Sequence, residues 1–397
     1  MKTGLYTTVN ITVAYESLNI RPRIWRMAKR EIALASLLLS TAALSSGQPV
    51  DAAGTLDFLE VCQQRSEFSE GDRVLLDALL REAHTEDCHE AERALSERSD
   101  LTLNNLQIQD VSLLVAFPQL TELYLSSNEI QDVTPLEQLP NLQILSLHDN
   151  QVADATSLAQ LSGLTHLYLG QNAITDIRPL SELTNLVELH LNENLVEDLQ
   201  PLEALNQLTY LDLSKNEIGQ VRSLAGLQNL EILRLNSNQV NSIEPLSSLA
   251  NLTELHLDLN QVSDIAPLAG LDRLIYLDID NNPIVEGDRL PIQQPIYLRE
   301  LRARDTCVSC NLSNLDLTDL ELIGVYLEGA NLSGANLQNV DLVGAILENA
   351  DLRNANLAGA DLEAAILLNA NLEGTNLQGA NLCDAILPTG DLMLCSP

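Results

Sequence analysis

Leucine returns at positions 120, 142, 164, 186, 208, 230, 252 and 274, a period of 22 residues held over eight copies. Each copy opens on LxxLxL or a close variant, as in LTELYL at 120–125 and LTHLYL at 164–169. That alternation predicts a short strand whose leucines enter a core while the intervening side chains face solvent. Asn follows at 128, 150, 172, 194, 216, 238, 260 and 282, with Ile or Val two positions later. A recurring Asn beside a strand predicts a ladder of amides bonded to the backbone of the next turn, satisfying groups that stacking would otherwise bury. The return segments, such as PLEQL at 135–139, carry Pro135, Pro179, Pro201, Pro245 and Pro267. They predict an irregular convex side, because Pro disrupts the interior of a long helix. Residues 98–119 repeat the pattern with Leu101, Leu103 and Ile108 in register but Leu106 at the Asn position, the worn form of a capping repeat.

Beyond a looser stretch at 285–309, where LRELRA (298–303) reads as a last worn strand, the period becomes five. Leu occupies every fifth place from 312 to 392, which makes 17 positions. Two residues earlier the chain is usually Ala, as at Ala330, Ala335, Ala350, Ala355 and Ala360, small enough to sit inside a narrow tube. The residue just before each Leu is Asn, Asp or Glu in 13 of the 17, the exceptions being Tyr326, Ile346, Ile366 and Ile386.

The 22-residue units resemble bacterial leucine-rich repeats of the internalin type, which stack as a curved solenoid with a parallel sheet on the inner face. The five-residue units resemble the pentapeptide-repeat family, A(D/N)LxX, which winds a right-handed four-sided β-helix of about 20 residues per coil. Together the resemblances imply a repeat solenoid, mainly β with short helical or irregular convex segments. The leucine-rich solenoid (98–284) is followed by a linker (285–309) and a quadrilateral pentapeptide β-helix (310–397). Residues 55–97 read as one or two helices, a small N-terminal cap over the open end. On a four-sided tube the exceptions, 20 residues apart, stack on one outer face, joined by Leu368. Such an aliphatic stripe marks a face covered by another copy or a neighbouring domain, or a partner site.

Charge separates residues 1–54 from everything after them. The chain has 56 acidic against 21 basic residues, a net charge of −35, which argues against a general binder of nucleic acid or acidic membranes. Residues 1–54 reverse that sign, and from Met27 they show a basic start (Lys29, Arg30), an apolar run from Ile32 to Leu44 and small residues around Ser45–Gly47. This is an export-signal pattern, with Met27 as the expected true start. Of six cysteines, an exported chain is expected to pair Cys62 with Cys88 and Cys383 with Cys395, while Cys307–Cys310 forms a CxxC. Cys310 and Cys383 lie several coils apart and cannot share a metal.

Candidate binding residues fall on the inner face. Three solvent-facing columns of the repeats hold four of the six His and four of the eight Tyr. The candidates are Tyr124, His148, His166, Tyr168, His190, Tyr210, Arg234, His256 and Tyr276. Tyr and His suit a binding surface because each joins an apolar body to a polar tip. They also suit exposed sheet positions generally. No carboxylate is expected to complete a metal set with His148, His166 and His190, and Asp258, Asp278 and Asp280 read as a solvated acidic rim. No nucleotide loop, HExxH or GxSxG occurs, so no enzymatic activity, cofactor or metal is expected. The reading is an exported interaction scaffold whose concave face recognises a protein or glycan, with the β-helix as second contact or homodimer module. Two alternatives stand beside it: an acidic DNA mimic acting on a nucleic-acid enzyme, which the resemblance to some pentapeptide-repeat proteins implies, and an envelope spacer.

Overall fold

A computed structural model of the chain describes residues 57–394, apart from 70, 72, 285 and 319. The export-signal reading of residues 1–54 lies outside the described residues. Two compact units divide the chain, residues 1–205 and 206–397, and each is taken by itself.

The first unit opens with three short helices rather than one or two: α1 (Phe58–Gln63), α2 (Val74–Glu82) and α3 (Cys88–Ser96). Asp57 caps α1 by accepting from the Glu60 amide at 3.1 Å, and Asp87 caps α3 by accepting from the His89 and Glu90 amides. These caps satisfy amides that a helix start leaves open, and the Asp87 cap is what starts the third helix. A Cys62–Cys88 disulfide ties α1 to α3. Phe58 packs on Phe117 with ring centroids 5.4 Å apart, which seats the helices on the first repeat.

Strands β1 (Asp100–Thr102), β2 (Glu122–Tyr124), β3 (Ile144–Ser146), β4 (His166–Tyr168) and β5 (Glu188–His190) follow, each paired in parallel with the next at an offset of 22 residues. The worn repeat is therefore a real rung. The central Leu of each strand is fully buried, and each such side chain contributes about 2 kcal/mol of hydrophobic stabilisation. Convex segments such as Thr134–Gln138 and Arg178–Glu182 are single 3-10 turns with Pro in their first positions. Asp132 and Asp176 start them by accepting the amide two residues on.

The Asn ladder runs toward the preceding repeat rather than the next one. Asn150 accepts from the Ile130 amide and donates to the Leu125 and Leu147 carbonyls. At the worn repeat, where Leu106 has no side-chain amide, Asn128 reaches back and accepts from the backbone N–H groups of both Leu106 and Ile108. The residue before each Asn, from Ser127 to Asn281, is left-handed with φ near +55° to +57° or slightly less, a turn that the hydrophobic pattern does not announce.

In the second unit β6 (Tyr210–Asp212), β7 (Ile232–Arg234), β8 (Glu254–His256) and β9 (Tyr276–Asp278) form an equivalent parallel ladder. The expected last strand at 298–303 is instead part of a helix, α4 (Glu286–Arg304). Eight residues after Leu298, where a repeat would place its Asn, stands Thr306, so no amide holds the following turn. Tyr297 and Leu301, four apart on one helical face, pack instead on the core of the five-residue repeats, while Arg299 donates to the Leu271 and Leu274 carbonyls.

From Cys310 the chain coils with parallel bridges between residues 20 apart, Leu and Ala inside. Cys307 and Cys310 are disulfide-bonded at its entry. One periodic leucine falls outside the tube. Gly390, at φ +89°, turns the chain back, and Leu392 bridges Ile386 antiparallel and is 54% exposed. Cys383 is disulfide-bonded, whereas Cys395, its expected partner, lies outside the described residues.

Candidate functional site

The strand periodicity decides which side chains reach the inner faces. In the first unit these come from β2 to β5 and the residues just after them. Tyr124 donates its hydroxyl to Glu122 at 2.9 Å, and this bond, reinforced by burial, holds its pKa above the usual 10.0. Tyr168 stacks against His190 with centroids 4.8 Å apart and an interplanar angle of 35°. Glu188 stands between two imidazoles, 2.7 Å from His190 Nε2 and 3.8 Å from His166 Nε2. Glu188 is the residue directly across the ladder from His166, which is why one carboxylate reaches both rings. Among the described residues, no group of three or more His, Cys, Asp or Glu is placed to hold a metal ion.

His148 lies over the backbone of the next rung through a gap. A Cβ on Gly170 would lie 2.3 Å from Asn192 Oδ1 and 2.8 Å from His148 Nδ1, so only glycine leaves room for both side chains to lie over its backbone. Tyr168 and His190 are both half-exposed, as a contact surface requires. Ser146, predicted to face solvent, is buried, bonded at 2.7 Å to the Ser126 hydroxyl.

In the second unit the inner face is different in character. Arg234 lies over the Tyr210 ring, 5.7 Å from its centroid, and His256 stacks on Tyr276 at 4.8 Å. Burial, with Arg234 adding to it, keeps the His256 imidazole below its usual 6.5 and therefore neutral at physiological pH. Arg234 Nε and His256 Nε2 are buried atoms with no hydrogen-bond partner among the described residues. Asp212, predicted exposed, is buried and accepts both the hydroxyl and the amide of Ser214. Burial and then the neighbouring Asp278 push the Asp258 carboxyl up, and burial followed by Asp278 does the same to the Tyr276 phenol. Glu254 is engaged by Arg304 from α4.

The second predicted patch is on the β-helix. Tyr326, Ile346, Ile366 and Ile386 bridge one another in register, so the four exceptions do stack on one wall. Tyr326 is exposed and the three Ile residues are half-buried. Leu368 sits beside this wall, where Gly390 folds over it. Sequence reasoning missed Leu259, 51% exposed in a left-handed turn that is polar in every other repeat. Comparing that turn position from copy to copy would have revealed it.

Leucine-rich-repeat models match residues 118–160, 162–204 and 206–248, and the pentapeptide-repeat model matches 310–349 and 350–387. No curated protein matches the chain. Among solved structures, a leucine-rich-repeat protein of Leptospira interrogans is 25% identical over 52% of this chain and 60% of its own, with a TM-score of 0.48. A Listeria monocytogenes internalin, InlF, is 22% identical over 66% of this chain and 90% of its own, with a TM-score of 0.46. Internalin C2 of Listeria monocytogenes is 32% identical over 52% of this chain and 92% of its own, with a TM-score of 0.50. With that identity across nearly all of internalin C2, and with the pentapeptide match following it, the chain belongs to the internalin-like leucine-rich-repeat proteins and carries a pentapeptide-repeat region.

Proposed function

We propose that the chain is an exported, non-enzymatic interaction scaffold that holds a protein or glycan on its concave leucine-rich-repeat face. Internalin-like folds of this kind suggest a protein-interaction scaffold. The observation that carries the reading is the arrangement of Tyr168, His190 and Glu188. All three are partly exposed, Tyr168 stacks on His190 and His190 is hydrogen-bonded to Glu188, so they are presented at little further entropic cost. Export is supported by the signal-like segment from Met27 and by the Cys62–Cys88 disulfide. No helix among the described residues is long and apolar enough to cross a membrane. The stacked Tyr326–Ile386 wall supports a second contact on the β-helix, with a partner or another copy.

Crosslinking the mature protein in its native compartment, and identifying what is held, tests this reading. Tyr168→Ala with His190→Ala is expected to weaken capture by about tenfold or more while leaving the melting curve close to that of the unmodified protein, since neither ring is in the core. Capture unchanged by that pair of substitutions would remove the concave face from the mechanism.

A further inference from the structure

The two inner faces are not chemically equivalent. In the first unit the face acids are engaged locally, Glu122 by the Tyr124 hydroxyl and Glu188 by His190. On the second unit's sheet face Glu254, Asp258 and Asp278 stand, among the described residues, near Arg304, which is held by Glu254, and Arg234, which lies over Tyr210. Neither Asp258 nor Asp278 has an ion-pair partner among the described residues. Asp278 stands across the ladder from His256, so it and Asp258, two residues after His256, are diagonal neighbours on one face of the sheet. Like charges so close repel, and a cation between them removes the cost.

An independent feature lies beside them. The turn after each strand holds a left-handed residue that is Ser127, Asp149, Gln171, Glu193, Lys215, Ser237 or Asn281 in seven repeats. In the eighth it is Leu259, at φ +57° and half out in solvent. Leu is a poor choice for that backbone and gains no burial there, so folding gives no reason for it. It follows Asp258 directly and lies three residues after His256, which stacks on Tyr276.

We propose, building on the scaffold reading above, that this end of the sheet face docks a basic polypeptide segment presenting Lys or Arg beside an aliphatic side chain. Asp258 and Asp278 take the cation, and Leu259 and Tyr276 take the apolar part. A long basic side chain suits such a site because its methylenes pack on aromatic and aliphatic surface while its head reaches carboxylate. Association should weaken with added salt, since the pairs form near the surface.

The test uses the full chain and a labelled peptide of alternating Lys and Leu, read by fluorescence anisotropy at about 50 mM and about 200 mM salt. Asp258→Asn with Asp278→Asn should weaken binding about tenfold, the worth of two surface charge pairs. Leu259→Asn should weaken it about threefold, and because Asn tolerates the left-handed turn its loss of binding cannot come from misfolding. Asp341→Asn with Asp361→Asn, a control on the β-helix that changes net charge equally, should leave binding unaltered. No binding by the unmodified protein, equal loss in the control, or an unchanged affinity in Leu259→Asn would each overturn the proposal. Failure of the scaffold reading shows elsewhere, as capture that ignores Tyr168 and His190.

Discussion

Replacing Asn172 by Leu removes one strut of the amide ladder at nearly constant volume. The Asn172 amide donates to the Leu147 and Leu169 carbonyls at 2.9 and 3.0 Å, and its oxygen accepts from the Val152 amide at 2.8 Å. Asn172 is 2% exposed and Val152 is fully buried, so water cannot replace what is lost. An orphaned buried amide costs about 2 kcal/mol and each carbonyl bond about 1 kcal/mol, a gross loss of about 4 kcal/mol. Added apolar burial by Leu returns about 1 kcal/mol, leaving a net destabilisation of about 3 kcal/mol. That is a large share of the 5–15 kcal/mol typical of a folded domain. Stacked repeats are coupled mainly to their neighbours, so the effect should be local. Hydrogen exchange at the Val152 amide should accelerate by about a hundredfold as urea unfolding shifts to lower concentration. A loss below about 1 kcal/mol, with Val152 exchange unchanged, would refute the idea that these amides hold the repeats together.

Two further outcomes are expected. Cys88→Ser opens a link between residues 26 apart and should cost about 3 kcal/mol, concentrated in α1–α3; limited proteolysis that finds 57–97 as resistant as before would contradict this. The Asp258 carboxyl is held above its usual 3.8, so the folded state binds its proton more tightly than the unfolded one. That preference is fully present below 3.8 and is lost as pH rises through the folded value, leaving an unfavourable charge at neutral pH. Asp258→Asn should therefore raise the urea midpoint at pH 7, with the difference closing toward pH 3.8, and a difference independent of pH would defeat the argument.

What could be read from the chain alone follows from periodicity. A 22-residue repeat with Leu and Asn at set places admits one way of stacking, because each rung's unpaired backbone and apolar face can be completed only by another rung. The same holds for the five-residue repeat, whose 20-residue coil puts Tyr326, Ile346, Ile366 and Ile386 on one wall. Where periodicity stops, sequence reading fails. LRELRA fits both a strand motif and a helix, and the choice went to the helix because Tyr297 and Leu301 find a core on that face, a contact invisible in the sequence. Leu392 keeps the period yet leaves the tube, since Gly390 reverses the chain and pairs it with its own last rung.

The candidate faces show the same division. Column by column, the sequence determined which side chains leave the core, because strand geometry alternates regardless of context. Only the tertiary structure decided what those side chains do to each other. It placed Glu188 beside His166 and His190, and buried Ser146 and Asp212 under their neighbours. Such outcomes depend on rotamers and on residues a rung away, and energies of that kind arise between side chains that the chain brings together only once it has folded.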